Sequence, residues 1–175
     1  MTFGEAGSAD RLTHVDEHGK AHMVDVTGKE VTVRVAEARC LVRTTADMVR
    51  SATDPSTGMD LMETARVAGI MAAKQTASLV PLCHPIRIEG IEIDVEVGDG
   101  GVHIRAVSAI VDRTGVEIEA LTACTVAALV VIQPLLAVDD TASIENLTVW
   151  HKSGGRSGTW SRSDDGGVRP AADGI

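Results

Sequence analysis

Apolar and polar residues alternate through Val31-Thr32-Val33-Arg34-Val35, the period of a half-buried strand. That strand is expected to run to about Arg43. Thr44-Thr45-Ala46-Asp47 offers a helix start and Asp54-Pro55-Ser56-Thr57-Gly58 a break. Leu61, Ala65, Ala68, Ala72 and Gln75 then fall near helical spacing, so a helix is predicted over 59–79. Its alanines and Gly69 would let another backbone approach closely. Alternation returns in Ile86-Arg87-Ile88-Glu89 and Ile91-Glu92-Ile93-Asp94-Val95-Glu96-Val97, with Gly90 between them as a candidate bulge. Gly98-Asp99-Gly100-Gly101 reads as a hairpin turn, and Val102 to Asp112 as the returning strand. A second apolar helix is predicted over 116–133, and a last strand from Ile144 to His151.

The order strand, helix, strand, strand, helix, strand predicts an α+β ferredoxin-like fold: an antiparallel sheet covered on one face by two long helices. Residues 1–22 read as a flexible polar arm, residues 23–160 as one domain, and residues 161–175 as a disordered tail. Beyond Lys152 the chain turns to Gly, Ser and Asp and is expected to fray. Helices with so few polar positions predict that their uncovered faces are buried in an oligomer.

Composition narrows the classes of function. A chain of 175 residues with 44% hydrophobic residues supports one core. With 2% aromatic residues and no Tyr, that core must be built from Val, Ile, Leu, Ala and Met. The net charge of −9 and pI near 5.0 disfavour a nucleic-acid partner, since no basic stripe would release counterions from a phosphate backbone. The apolar runs are interrupted short of the roughly 20 residues that span a bilayer, and no basic-then-apolar leader opens the chain. A cytoplasmic protein without a membrane partner is expected. Cys40, Cys83 and Cys124 are too widely spaced for a zinc motif and read as reduced thiols. His14, His18 and His22 recur every fourth residue, but Gly19 and the polar setting favour an arm over a metal clamp.

Two segments carry candidate chemistry. Pro81-Leu82-Cys83-His84-Pro85 fixes an imidazole and a thiol between two prolines, which restrict the backbone and pre-position His84. A lone histidine is more often satisfied by a backbone carbonyl, and Cys83 alone is more often a small buried hydrophobe. Glu117 and Glu119 follow Gly115 where the second helix begins. Carboxylates there gain from the helix dipole without any catalytic role. Two apart on a helix they point about 200° from each other, so only an extended segment is expected to aim both into one pocket. Lys152-Ser153-Gly154-Gly155-Arg156-Ser157-Gly158 mixes two cations with flexible residues and could wrap a phosphate, though it lacks P-loop spacing.

Together these segments resemble the MoaC family, the molybdenum cofactor biosynthesis protein C, or cyclic pyranopterin monophosphate synthase, family. The matching stretches are Ala21-His22-Met23-Val24-Asp25-Val26, Thr64 to Lys74, Leu82-Cys83-His84-Pro85, Thr114 to Ala123 and Lys152 to Gly158. The resemblance implies a ferredoxin-like subunit in a hexamer built as a trimer of dimers, with the pocket at the dimer interface. It implies a lyase acting on cyclised dihydroguanosine triphosphate, a small-molecule triphosphate. The product would be cyclic pyranopterin monophosphate, with loss of pyrophosphate. No cofactor is implied, apart from Mg2+ that could accompany the triphosphate, and no metal site. The substrate contacts it implies fall on Leu82, Cys83 and His84, on Glu117, Ile118 and Glu119, on Lys152, and on Arg66 and Lys74 of the first long helix.

The sequence departs from the family at three positions. The family's catalytic lysine before the first long helix is Gly58 here, its catalytic aspartate is Gln133, and its second catalytic lysine is Leu136. Glutamine and leucine exchange no proton near neutral pH, and single acid–base groups typically contribute about 10²–10⁴-fold. Pro134 also removes a helical hydrogen bond and is expected to kink or end the helix. Two readings therefore stand open. One is an active synthase. The other is a catalytically impaired paralogue serving as a binding or scaffold subunit, which could join an active relative in mixed oligomers.

Overall fold

The structure is a computed structural model that describes residues 14–52, 60–163 and 167–170. Strand β1 (Thr32–Arg43) is followed by helices α1 (Ala46–Ala52), α2 (Leu61–Ala73) and α3 (Thr76–Leu79). Strands β2 (Gly90–Gly98) and β3 (Gly101–Asp112) form a hairpin, α4 (Glu117–Leu135) crosses back, and β4 (Ser143–Ser153), β5 (Trp160–Arg162) and β6 (Val168–Pro170) complete the chain. The sheet order is β2-β3-β1-β4-β5-β6 with every pair antiparallel. The first four strands are the ferredoxin-like sheet that the hydrophobic pattern predicts.

Alternation along β1 sends Ala36, Ala38, Cys40 and Val42 toward the helices, and β3 matches them with Ser108, Ala106, Ile104 and Val102, all buried. Above them α4 contributes Ala120, Ala123, Cys124, Ala127, Ala128 and Val131, all fully buried. A core lined this heavily with alanine brings helix and sheet close, which replaces the bulk that aromatic side chains would supply. The contact is tightest at Gly69. A Cβ there would stand 2.6 Å from Ile93 Cδ1 and 2.9 Å from the Ala123 carbonyl oxygen. Asp60 caps α2, accepting from the Glu63 N–H at 3.0 Å.

Helix α4 is 19 residues long, and an 18-residue window in it has a mean hydropathy of 1.8. It is thus long and apolar enough to cross a membrane by length and composition, further than the interrupted apolar runs suggest. Here the same apolar residues pack against α2 and the sheet. The helix ends one residue beyond Pro134, as expected. The proline falls in the last turn, and the chain closes around it with the Leu136 N–H on the Ile132 carbonyl at 3.0 Å and the Asp139 N–H on the Leu135 carbonyl at 2.8 Å.

Other expectations differ at element ends. The helix predicted over 59–79 is two helices, broken at Lys74–Gln75, where Gln75 leaves the helical region at φ −108°. Ile86–Glu89 is not a strand: Ile86 and Ile88 pack against the core while the chain leaves the Pro85 loop, and only from Gly90 does it pair with β3. Gly90 opposes Ala109 in unbroken register, so it begins β2 rather than forming a bulge. Past Lys152 the described residues do not fray. Gly154 and Gly155, at φ 85° and 76°, reverse it, and Trp160 pairs with Lys152. The segment expected as a tail after residue 160 carries the end of β5 and all of β6. Within the expected N-terminal arm, residues 14–22 form a tight turn. Asp16 accepts from the N–H groups of His18 and Lys20 at 2.9 and 2.8 Å, and Val15 bridges Ala21.

Candidate active site

The two segments singled out in the sequence meet. The turn after α3, closed by the Cys83 N–H on the Val80 carbonyl at 3.0 Å, presents Leu82, Cys83 and His84. They face the first turn of α4 across a cavity of about 470 Å3. Glu117, Ile118 and Glu119 line that cavity together. The expectation that helical carboxylates two apart must diverge is therefore corrected. Glu117 opens α4, and the cavity wraps the end of the helix rather than one side. Side chains that splay around the axis of a first turn both reach a space lying end-on. Gly115 allows this, because a Cβ there would collide with the Glu117 carboxylate.

Lys152, from the inward face of β4, lines the cavity and forms an ion pair with Glu117. Lys29, Arg34, Arg113 and Arg156 join it, so five cations oppose two carboxylates. Arg34 is only 8% exposed. Its Nη2 donates to the Arg113 carbonyl at 3.3 Å, and Arg113 Nε donates to the Lys29 carbonyl at 3.0 Å. The guanidinium also lies against Gly155, where a Cβ would strike it. These links tie the segment before β1, the turn before α4 and the loop after β4 into one wall.

Sequence reasoning missed Lys29, Arg34 and Arg113 as site residues. A signal existed for Arg34. It occupies the inward register of β1, where positions 36, 38, 40 and 42 are all small or apolar, and a charge at such a position needs a partner or a cavity. Nothing comparable marks Lys29 or Arg113, which reach the site only through loops. The apolar Val24 and Val26 and the N-terminal turn's His14 complete the rim.

Electrostatics differ sharply between the groups. Burial pushes the Glu119 carboxyl up from 4.5 to about 7, and the Glu117 charge adds to the effect. Burial also raises the Cys83 thiol, with Glu119 contributing, so Cys83 is not poised as a thiolate nucleophile. Lys29 is lowered, first by desolvation and then by the nearby charges of Arg156, Arg34 and Lys152. A wall of crowded, partly desolvated cations is suited to a polyanion that would relieve their repulsion. Among the described residues no group of three or more His, Cys, Asp or Glu is arranged to hold a metal.

Four expected site residues lie elsewhere. Arg66 donates to the Ile93 carbonyl at 2.9 Å and pairs with Glu63, tying α2 to β2. Lys74 is an exposed residue at the end of α2. Neither lines the cavity. Gln133 and Leu136 are exposed at the far end of α4, about 24 and 28 Å along the helix axis from Glu117 at 1.5 Å per residue. Gly58 lies outside the described residues.

The model of the MoaC family matches residues 23–155. The chain is 52% identical over 157 residues to a cyclic pyranopterin monophosphate synthase of Streptomyces avermitilis, covering 88% of this chain and 91% of that protein. It is 53% identical over 161 residues to one from a Nocardioides species, covering 89% and 98%. It is 50% identical over 155 residues to cyclic pyranopterin monophosphate synthase 2 of Mycobacterium tuberculosis, covering 86% and 91%. The matched residues hold the cavity's Leu82–His84 turn, its two glutamates and Lys152, and on this footing the chain belongs to the MoaC family.

Proposed function

We propose that this protein works in molybdenum cofactor biosynthesis. In this reading it converts cyclised dihydroguanosine triphosphate to cyclic pyranopterin monophosphate and releases pyrophosphate, a lyase reaction. The observation that carries the reading is the cavity itself, where a cationic wall for a triphosphate faces a buried carboxyl and the His84 turn. The relatives named above are all called synthases. The alternative of an impaired binding or scaffold subunit finds no support among them.

Lys29, Arg34, Lys152 and Arg156 would hold the phosphates, where each charge-assisted hydrogen bond to an anion is shorter and stronger than a neutral one. Leu82, Cys83, His84 and Ile118 would hold the ring system. Mg2+ would enter with the triphosphate rather than on protein ligands. Gly58, Gln133 and Leu136 hold no side chain that titrates near neutral pH, so acid–base chemistry falls to groups lining the cavity.

Exposed apolar side chains on the outer helical faces, Val67, Met71 and Leu129, support a second proposal, assembly as a trimer of dimers. Such packing would let a neighbouring copy bring Arg66, Lys74, Gln133 or Leu136 toward a cavity they do not reach within one subunit. A cytoplasmic location fits reduced Cys40, Cys83 and Cys124.

The test is a turnover assay on the cyclised triphosphate that follows pyrophosphate and the pterin product together. Stoichiometric appearance of both is expected. Tight binding of the triphosphate with neither product formed would overturn the assignment as a synthase.

A further inference from the structure

We propose that Glu119 is the group that exchanges a proton with the substrate bound in the cavity, while Glu117, tied to Lys152, positions the phosphate-binding wall. The assignment rests on the reaction proposed above and adds a residue role to it.

The two glutamates sit two positions apart yet stand in opposite situations. Glu117 has a cation: Lys152 pairs with it directly. A carboxylate held that way serves as an anchor. Glu119 is 3% exposed and lines the same cavity. No ion pair to it forms among the described residues, and its favourable contact is with its own backbone N–H. Its charge is felt by Cys83, which is uncharged, and is opposed by Glu117, which repels it. His14 and His84 also face the cavity, and the cations Lys29, Arg34, Arg113, Lys152 and Arg156 are spread along its wall. Burial without a dedicated cation leaves a carboxyl that can hold its proton near neutral pH, the property a general acid needs. Its shift to about 7 agrees with that geometry. At the other end of α4, Gln133 and Leu136 offer nothing that could share the task.

In the step itself, the Glu119 O–H bond breaks and its proton forms an O–H or N–H bond on the substrate. The carboxylate left behind regains a proton from water entering the open cavity. No electrons change hands and no further reactant is needed.

The experiment compares the full-length parent with Glu119→Gln and Glu117→Gln. Glu119→Gln keeps the shape and removes the exchangeable proton. It is expected to lower kcat by about 100-fold or more, to leave KM within a few-fold, and to abolish a break in the parent's kcat–pH profile near pH 7. Glu117→Gln is expected to raise KM and keep that break. Glu119→Asp, which retains a carboxyl, should keep the break at reduced kcat, and it serves if the glutamine variant does not fold. A Glu119→Gln enzyme with kcat within about threefold of the parent, or with the break intact, overturns the proposal. If the parent turns over no substrate, the reaction reading fails first. Proton exchange is then read by calorimetry of guanosine triphosphate binding in two buffers of different ionisation heat. Proton uptake by the parent that is lost in Glu119→Gln supports the proposal, and equal uptake in both overturns it.

Discussion

Lys152 and Glu117 form an ion pair that joins the inward face of β4 to the first turn of α4. The two residues are 35 positions apart in sequence, and their side chains are only 18% and 24% exposed. The pair holds one side of the cavity in place, and among the described residues Glu119, two residues on, has no ion-pair partner.

Lys152→Ala should separate binding from stability. Removing the lysine deletes one phosphate-facing cation and leaves Glu117 uncompensated in the cavity. Affinity for guanosine triphosphate is expected to fall about tenfold, equivalent to about 1.4 kcal/mol. Stability should fall by no more than about 1 kcal/mol, since the pair is partly solvated. Adding Glu117→Gln should recover the stability and not the affinity. Calorimetry and chemical denaturation read the two effects, and unchanged affinity in Lys152→Ala would remove that residue from the site.

The stability of the protein should decline between pH 4.5 and 7. Glu119 has a folded pKa of about 7 against 4.5 unfolded, so across that window the folded state binds more protons than the unfolded one. Stability then falls as pH rises, because the slope follows the difference in bound protons, unfolded minus folded. The loss from this group is on the order of 2 kcal/mol, reduced by the access of water to the cavity. Glu119→Gln should flatten the curve and be more stable than the parent at pH 8. Parallel pH–stability curves for the two proteins would show that burial of this carboxyl carries no such penalty.

Gly69 should tolerate no side chain. A Cβ there meets Ile93 Cδ1 at 2.6 Å and the backbone oxygen of Ala123 at 2.9 Å, and the latter cannot swing aside. Gly69→Ala is expected to cost about 1–3 kcal/mol by overpacking, despite the gain in helix propensity of roughly 1 kcal/mol. Gly69→Val should cost more. Thermal unfolding checks this, and a Gly69→Ala protein as stable as the parent would mean that α2 and α4 can move apart freely.

Thiol labelling should single out Cys83. Cys40 and Cys124 are buried in the core, with Cys124 Sγ donating to the Ala38 carbonyl at 3.3 Å. Cys83 is half-buried and its raised thiol should react slowly near neutral pH. One equivalent of label is expected, and guanosine triphosphate should slow it because Cys83 lines the cavity. Mass spectrometry of the labelled peptides gives the answer. Modification of Cys40 before Cys83 would contradict the described core.

Legibility of this protein followed the range of the interactions involved. Period-two alternation in Val31–Val35, Ile91–Val97 and Val102–Asp112 is a local property, since each residue's face is set by the pleat. The sequence by itself therefore determined the order of strands and long helices and the placement of the Leu82–His84 turn and the two glutamates on loop and helix end. Where local signals competed, it misled. Ile86–Glu89 alternates like a strand, but pairing with β3 begins only at Gly90. Glycines 154 and 155 look like the start of a tail, but their positive φ makes the reversal that brings Trp160 onto β4.

The tertiary structure alone decided which charges share a space. Helical geometry argued that Glu117 and Glu119 diverge, and only the end-on position of the cavity reconciles them. Lys29, Arg34, Arg113 and Lys152 arrive from four separate segments. Their proximity, and with it the depression of Lys29 and the pairing of Glu117, has no trace in spacing along the chain. The same holds for Arg66 and Gln133, whose sequence context suggests a site and whose positions on the folded chain lie away from it. A charge's environment depends on distance and solvent access in three dimensions, and neither is fixed until the sheet and helices have packed.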